Sequence, residues 1–139
     1  MFNKILLAAD GSEHSLRATE KAIFLTQNNP EATIEILYVV NSETSKSDVL
    51  RDMDTDAITL KRNQKLLPIQ VKLKQAKVNY SVKFIHGEPG PSIVKYANEG
   101  KFDIVVIGSR GLNGVQEFVL GGVSHKVAKR ANCPVLIVK

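Results

Sequence analysis

Five short apolar runs divide the chain, each separated from the next by a stretch long enough for a helix. They are KILLAA (4–9), TIEILYVV (33–40), SVKFIHG (81–87), DIVVIG (103–108) and PVLIVK (134–139). Runs of this length and composition predict strands. DIVVI is apolar without alternation, which suits a strand buried on both faces of a parallel sheet. Between the runs the pattern is helical. Glu13–Asn28 is predicted as a helix capped by Ser12, with Leu16, Ala22 and Ile23 toward the core and Asn28-Asn29-Pro30 stopping it. A second helix is predicted over roughly 47–77, kinked or split by Pro68, after a polar, mobile stretch NSETSKSD. A third runs from Pro91 to Glu99 with Gly100 as its stop. A fourth begins near Gly122, with Val123, Val127 and Ala131 on one face. The resulting order, β-α-β-α-β-α-β-α-β, implies a parallel sheet covered by helices on both sides.

The length of 139 residues fits one domain, 1–139, large enough to bury a core without staples. The single cysteine, Cys133, excludes an intramolecular disulfide, and a reducing, cytoplasmic setting is the simplest expectation. It is expected to be a packed thiol. No apolar run reaches the ~18 residues of a membrane span, and the N-terminal apolar stretch is shorter than a signal peptide requires. The net charge of +5 permits anionic partners. Lys and Arg concentrate between Lys61 and Lys83. Without zinc ligands, a basic heptad or an aromatic-rich strand, that segment reads as a solvated helix face, and nucleic acid is not an expected partner. His14, His86 and His125 show no metal spacing and are expected to be surface or structural residues. Ser124 and His125 are adjacent, so on a helix they point about 100° apart and do not make a nucleophile–base pair. Tyr38 is expected to pack on the sheet.

The candidate chemistry lies where two strands end. Five of the nine glycines fall in GSRGLNGVQEFVLGG (108–122), directly after the fourth run. In open parallel sheets ligands bind beyond the carboxyl ends of the strands, where the strand order reverses, and the first strand there commonly lies beside the fourth. AADGS (8–12) would then face GSRGLNG (108–114). An acid at one strand end can accept from ribose hydroxyls or act near a metal, and a glycine loop at the other exposes N–H groups to phosphate. Gly121-Gly122 opens the fourth helix, whose free N–H groups and positive dipole end favour anions. Ser124 can add a hydroxyl, and Arg110 is the nearest cation. No P-loop and no dinucleotide fingerprint is present. On these residues alone, a nucleotide site and a merely tight turn both stand, and Asp10 could cap the first helical turn as well as bind a ligand.

The chain resembles the universal stress protein family over its whole length. KILLAADGSEHS resembles the family's first strand followed by Asp-Gly-Ser-x-x-Ser, HGEP the end of its third strand, FDIVVIGSRG its fourth, and ANCPVLIVK its last. Gly108, Gly111 and Gly121 fall at the G-x2-G-x9-G spacing of the ATP-binding branch. The resemblance implies a three-layer α/β/α fold, a five-stranded parallel sheet in order 3-2-1-4-5, and ATP, with Mg²⁺ or Mn²⁺, at the site above. It implies that Asp10 binds ribose or adenine beside Ala8 and Ala9. Val39 meets adenine through its backbone. Ile107, Gly108 and Gly111 contact ribose and phosphate, and Gly121, Gly122, Val123 and Ser124 hold the phosphates. Gly122 departs from the family's Ser or Thr, which removes one hydroxyl contact, and Ser124 could compensate. The resemblance also implies a homodimer paired through the last strand, 134–139. The expected function is an ATP-dependent regulatory protein whose bound state a partner protein reads. The alternatives are a nucleotide-free dimeric interaction protein and a slow ATPase or self-acting kinase, the latter without a visible general base. No catalytic residue and no protein metal ligand is assigned.

Overall fold

The computed structural model describes residues 2–40, 55–110 and 122–139. Its five strands are β1 (Lys4–Ala8), β2 (Thr33–Val40), β3 (Asn79–His86), β4 (Ile104–Gly108) and β5 (Val135–Val138). All pair in parallel, in the order β3-β2-β1-β4-β5. The chain therefore builds outward from β1 to β3, returns to the other side of β1 for β4, and ends at β5. β1 and β4 are central, and four of five β1 residues and all of β4 are buried. The continuous apolar pattern of DIVVI reflects this burial on both faces. β3 and β5 are the edges.

Two apolar layers hold the helices. On one face Ile5, Leu7, Ile34, Ile36 and Val106 pack against α1 (Glu13–Leu25) and α2 (Thr55–Gln75) through Ala18, Ala22, Leu66, Ile69 and Leu73. On the other, Leu6, Leu37, Val105 and Ile107 meet α3 (Pro89–Gly100) and α4 (Gly122–Arg130) through Ile93, Ala97 and Val127. Val123 and Ala131 pack at the margin of that layer, as the spacing with Val127 predicts. Tyr38 is buried against the sheet with its ring 5.7 Å from that of Phe84.

Several helix ends differ from expectation. α1 stops at Leu25, where Thr26 caps it, and Asn28 takes a left-handed φ of 64°. Asn tolerates that conformation better than most residues, so it ends the helix sooner than Pro30 could. Pro68 does not split α2, which runs as one helix. Leu66, Ile69 and Leu73 anchor it on both sides of the proline, and Pro68 itself is exposed, so the carbonyl of Gln64 that loses its donor can turn to water. The predicted residues 47–54 of this helix, and the stretch NSETSKSD, lie outside the described residues. α3 begins two residues early, at Pro89, where the missing N–H is no loss. Its stop is Lys101, left-handed at φ 54°, and not Gly100. Gly100 is required for another reason: a Cβ there would lie 2.5 Å from the Phe102 ring. No helix among the described residues is long and apolar enough to cross a membrane.

Candidate functional site

Ala8 and Ile107 stand side by side at the ends of β1 and β4. Beyond them the two chains part. The N–H of Ala9 donates to Leu37 of β2 (3.0 Å), whereas the N–H of Ser109 donates to Val138 of β5 (2.8 Å). Each strand exit stays with its outer neighbour, so residues 9–11 and 108–110 diverge where a strand-order reversal is expected to leave a crevice. This is the physical form of the strand-order reversal.

The β1 side of the crevice is a hydrogen-bond network. Gly11 takes a left-handed φ of 84°, which turns the chain into α1. Ser12 caps α1, its Oγ accepting from the N–H of Ser15 (3.2 Å). Asp10 Oδ1 accepts from the N–H of Ser12 (2.9 Å) and from Ser15 Oγ (2.7 Å), while the N–H of Asp10 donates to Ser15 Oγ (2.9 Å). Asp10 thus orders the first turn of α1, one of the two roles its position allowed. Ser15 is 3% exposed and joins both ends of the turn. The sequence reading gave it no role, although its spacing three residues after the capping Ser12 carried the signal.

The β4 side is held by close approach. A Cβ on Gly108 would lie 2.7 Å from His14 Cβ and 3.0 Å from the His14 carbonyl carbon. The missing side chain therefore admits the first turn of α1, a packing reason that glycine spacing alone did not disclose. Ser109, also overlooked, is buried and holds three elements together. Its N–H bonds β5, its Oγ lies 3.3 Å from His14 Nδ1, and its carbonyl accepts from Ser124 Oγ of α4 (3.2 Å). His14 is structural, as expected. Ser124 is 2% exposed and His125 is exposed, so the two make no nucleophile–base pair. Ser124 Oγ thus donates to the Ser109 carbonyl, tying the start of α4 to the exit of β4.

Of the other candidates, Ala8, Val39, Ile107 and Val123 share one layer of the sheet, and Ala9 faces the opposite layer. Arg110 follows Ser109 at the crevice, half-buried. Gly122 begins α4 and is exposed, and an added Cβ would meet nothing within 4 Å among the described residues. Gly111 and Gly121 lie outside those residues. Among the described residues no group of three His, Cys, Asp or Glu could hold a metal ion. At the opposite end of the same strand pair, Asp103 accepts the N–H groups of Lys4 and Asn3, both at 2.9 Å, which lowers its pKa. Burial raises the Cys133 thiol, which packs beside the second layer.

The universal stress protein family model matches residues 1–139. The chain is 34% identical to universal stress protein YxiE of Bacillus subtilis (strain 168), over 100% of both chains. The solved structure of the hypothetical protein MJ0577 matches with a TM-score of 0.85 at 28% identity, covering 100% of this chain and 96% of that one. A universal stress protein family member of Arabidopsis thaliana, solved with AMP bound, has the same fold, with a TM-score of 0.69 at 23% identity over 99% of this chain and 91% of that one. The whole-chain match to the family model, together with the identity to YxiE, shows that the chain belongs to the universal stress protein family.

Proposed function

We propose that this protein binds ATP in the crevice between the ends of β1 and β4 and acts as a nucleotide-dependent regulator in the stress response. The observation that carries the reading is the divergence of Ala9 toward β2 and Ser109 toward β5, which places the Asp10 turn opposite the exit of the glycine-bearing strand. The AMP held by a relative of the same fold supports an adenine nucleotide as ligand. Asp10, oriented by Ser12 and Ser15, accepts from the ribose or adenine beside Ala8 and Ala9. Val39 offers its backbone to adenine. Ile107, Gly108 and Gly111 line ribose and phosphate. Gly121, Gly122 and Val123 present the N–H groups of the α4 start to the phosphates, with Arg110 as a nearby cation. Mg²⁺ or Mn²⁺ would ride on phosphate oxygens and water, since the described residues form no protein cage for it. The partly exposed edge strand β5 supports pairing with a second copy through residues 134–139. The setting is cytoplasmic, and a partner protein reads the bound state.

The test is to denature the purified protein and measure adenine absorbance among the released small molecules, then to melt it with and without ATP and Mg²⁺. Released adenine or an ATP-dependent rise in Tm supports the reading, and the absence of both overturns it. A second reading, a nucleotide-free dimeric interaction protein, is favoured by Gly122 and by the engagement of Ser124 with Ser109. It predicts an unchanged melting curve.

A further inference from the structure

Gly11 does more than turn the chain into α1. A Cβ there would lie 3.1 Å from the Lys65 carbonyl oxygen and 3.2 Å from Lys65 Cβ, so the turn beside Asp10 is packed directly on α2. Lys72, seven residues further along α2, lies on the same side of the helix, about 20° away in direction and about 10 Å along the axis. Its ammonium meets Glu20 of α1 at 2.9 Å. The side of α2 that carries both lysines therefore faces α1. Opposite Lys72 that neighbour offers an acid, and opposite Lys65 it offers a glycine. The acid next along α1, Glu13, lies 4.0 Å from Arg17. Among the described residues Lys65 has no ion pair, and its side chain is exposed.

The fold also gives Lys65 a direction. α1 and α2 each follow a strand of the parallel sheet and run back against it, so their N-terminal ends stand at the carboxyl ends of the strands. Side chains on a helix lean toward its N-terminus. Lys65 therefore leans past Gly11, toward the end of the molecule where β1 and β4 diverge. An extended lysine carries its Nζ about 5 Å beyond Cβ, which reaches a group bound against Asp10.

We infer that Lys65 is a phosphate-binding cation of the nucleotide site, carried by α2 on the Asp10 wall. The inference rests on the nucleotide reading above and adds to it a residue from a segment whose composition reads as a solvated helix face. Asp10 takes the ribose or adenine, so the phosphate nearest Lys65 is the α-phosphate, esterified to the ribose. Lys65 meets it as a point charge on a flexible stem, while the N–H groups at the start of α4 take the terminal phosphates. An ammonium already held by a carboxylate, as at Lys72, would have to leave its partner first, whereas Lys65 gives up only water.

The test displaces a fluorescent ATP analogue from the full, nucleotide-stripped chain with ATP, AMP and adenosine. Lys65→Met keeps most of the stem and removes the charge. It should weaken ATP and AMP alike by about tenfold and leave adenosine unchanged. Lys65→Glu should weaken both nucleotides further, Lys65→Arg should retain most of the affinity, and the loss in Lys65→Met should shrink as NaCl is raised. Lys65 is exposed, so all three variants should melt like the parent without nucleotide, which separates loss of binding from loss of fold. Undiminished ATP and AMP binding by Lys65→Met overturns the inference and leaves the nucleotide reading standing. An equal loss for adenosine also overturns it, because the effect would then lie in the shape of the turn and not in charge. Loss confined to ATP overturns the assignment to the α-phosphate. No binding of the analogue to the parent overturns the nucleotide reading and this inference with it.

Discussion

At the carboxyl end of β1 the chain is held by side-chain hydrogen bonds, with Asp10, Ser12 and Ser15 satisfying one another and the backbone of the turn. Across the crevice, at the end of β4, it is held by the absence of a side chain at Gly108, packed on His14, and by the N–H, hydroxyl and carbonyl of Ser109. The first side presents a carboxylate oriented by Ser12 and Ser15. The second is held at Gly108 and Ser109. One side presents an oriented acceptor, and the other leads into the glycine segment to which the proposal assigns the phosphates. That division suits a ligand with hydroxyls at one end and anionic oxygens at the other.

The two sides should fail in different ways. The largest effect is expected from Gly108→Val, which drives a branched side chain into the backbone of His14. It should destabilise the protein by about 3 kcal/mol, at the upper end of overpacking costs, as measured by urea unfolding. Ser15→Ala leaves the N–H of Asp10 without its partner and removes a bond to the carboxylate. It should cost about 2 kcal/mol by the same measurement. Ser12→Ala removes the cap and the longer contact of its hydroxyl with Ser15 Oγ (3.3 Å), at about 1 kcal/mol. If Ser15→Ala proved neutral, Ser15 would not be what orders the β1 side.

The opposite end of the same strand pair provides a control. The native pKa of Asp103 lies below its ordinary 3.8 because its carboxylate accepts two backbone N–H groups. A lowered acid pKa adds stability that is present above the unfolded value and is lost as pH falls through the native one. Asp103→Asn should therefore flatten the decline of Tm below about pH 4 while leaving nucleotide titrations unchanged. The smallest change in stability is expected at Gly122→Ser, where nothing described blocks the side chain. Stability should shift by under about 0.5 kcal/mol. A new hydroxyl–phosphate bond should raise ATP affinity about twofold to tenfold, read by calorimetry.

Much of this fold was legible in the sequence because burial leaves a periodic trace. The unbroken apolar run of β4 announced a central strand, and Val123, Val127 and Ala131 announced the inner face of α4. Helix ends were less legible. α1 ends at Leu25, three residues short of Asn28, whose left-handed turn lies within the predicted stop; Lys101 ends α3 left-handed, for which lysine is no sign, and Pro68 is tolerated because buried residues on both sides hold α2 in place. At the candidate site, Asp10 and Gly108 stood out by type and spacing. Ser15 was marked only by its place in Asp-Gly-Ser-x-x-Ser, and Ser109 not at all, since its partners Val138, His14 and Ser124 are set by tertiary contact. The reason for Gly108 was hidden in the same way: its neighbour in space, His14, is 94 residues distant in sequence.

Calorimetric titration of the nucleotide-stripped chain with ATP and Mg²⁺ decides whether the crevice is a nucleotide site. The parent should take up about one nucleotide per chain with saturable heat. Asp10→Asn keeps an acceptor for Ser12 and Ser15 but loses the charge, and should bind about tenfold more weakly with an unchanged fold. No saturable heat with the parent, or equal affinity in Asp10→Asn, would contradict the assignment of Asp10 and the β4 exit as the two walls of the site.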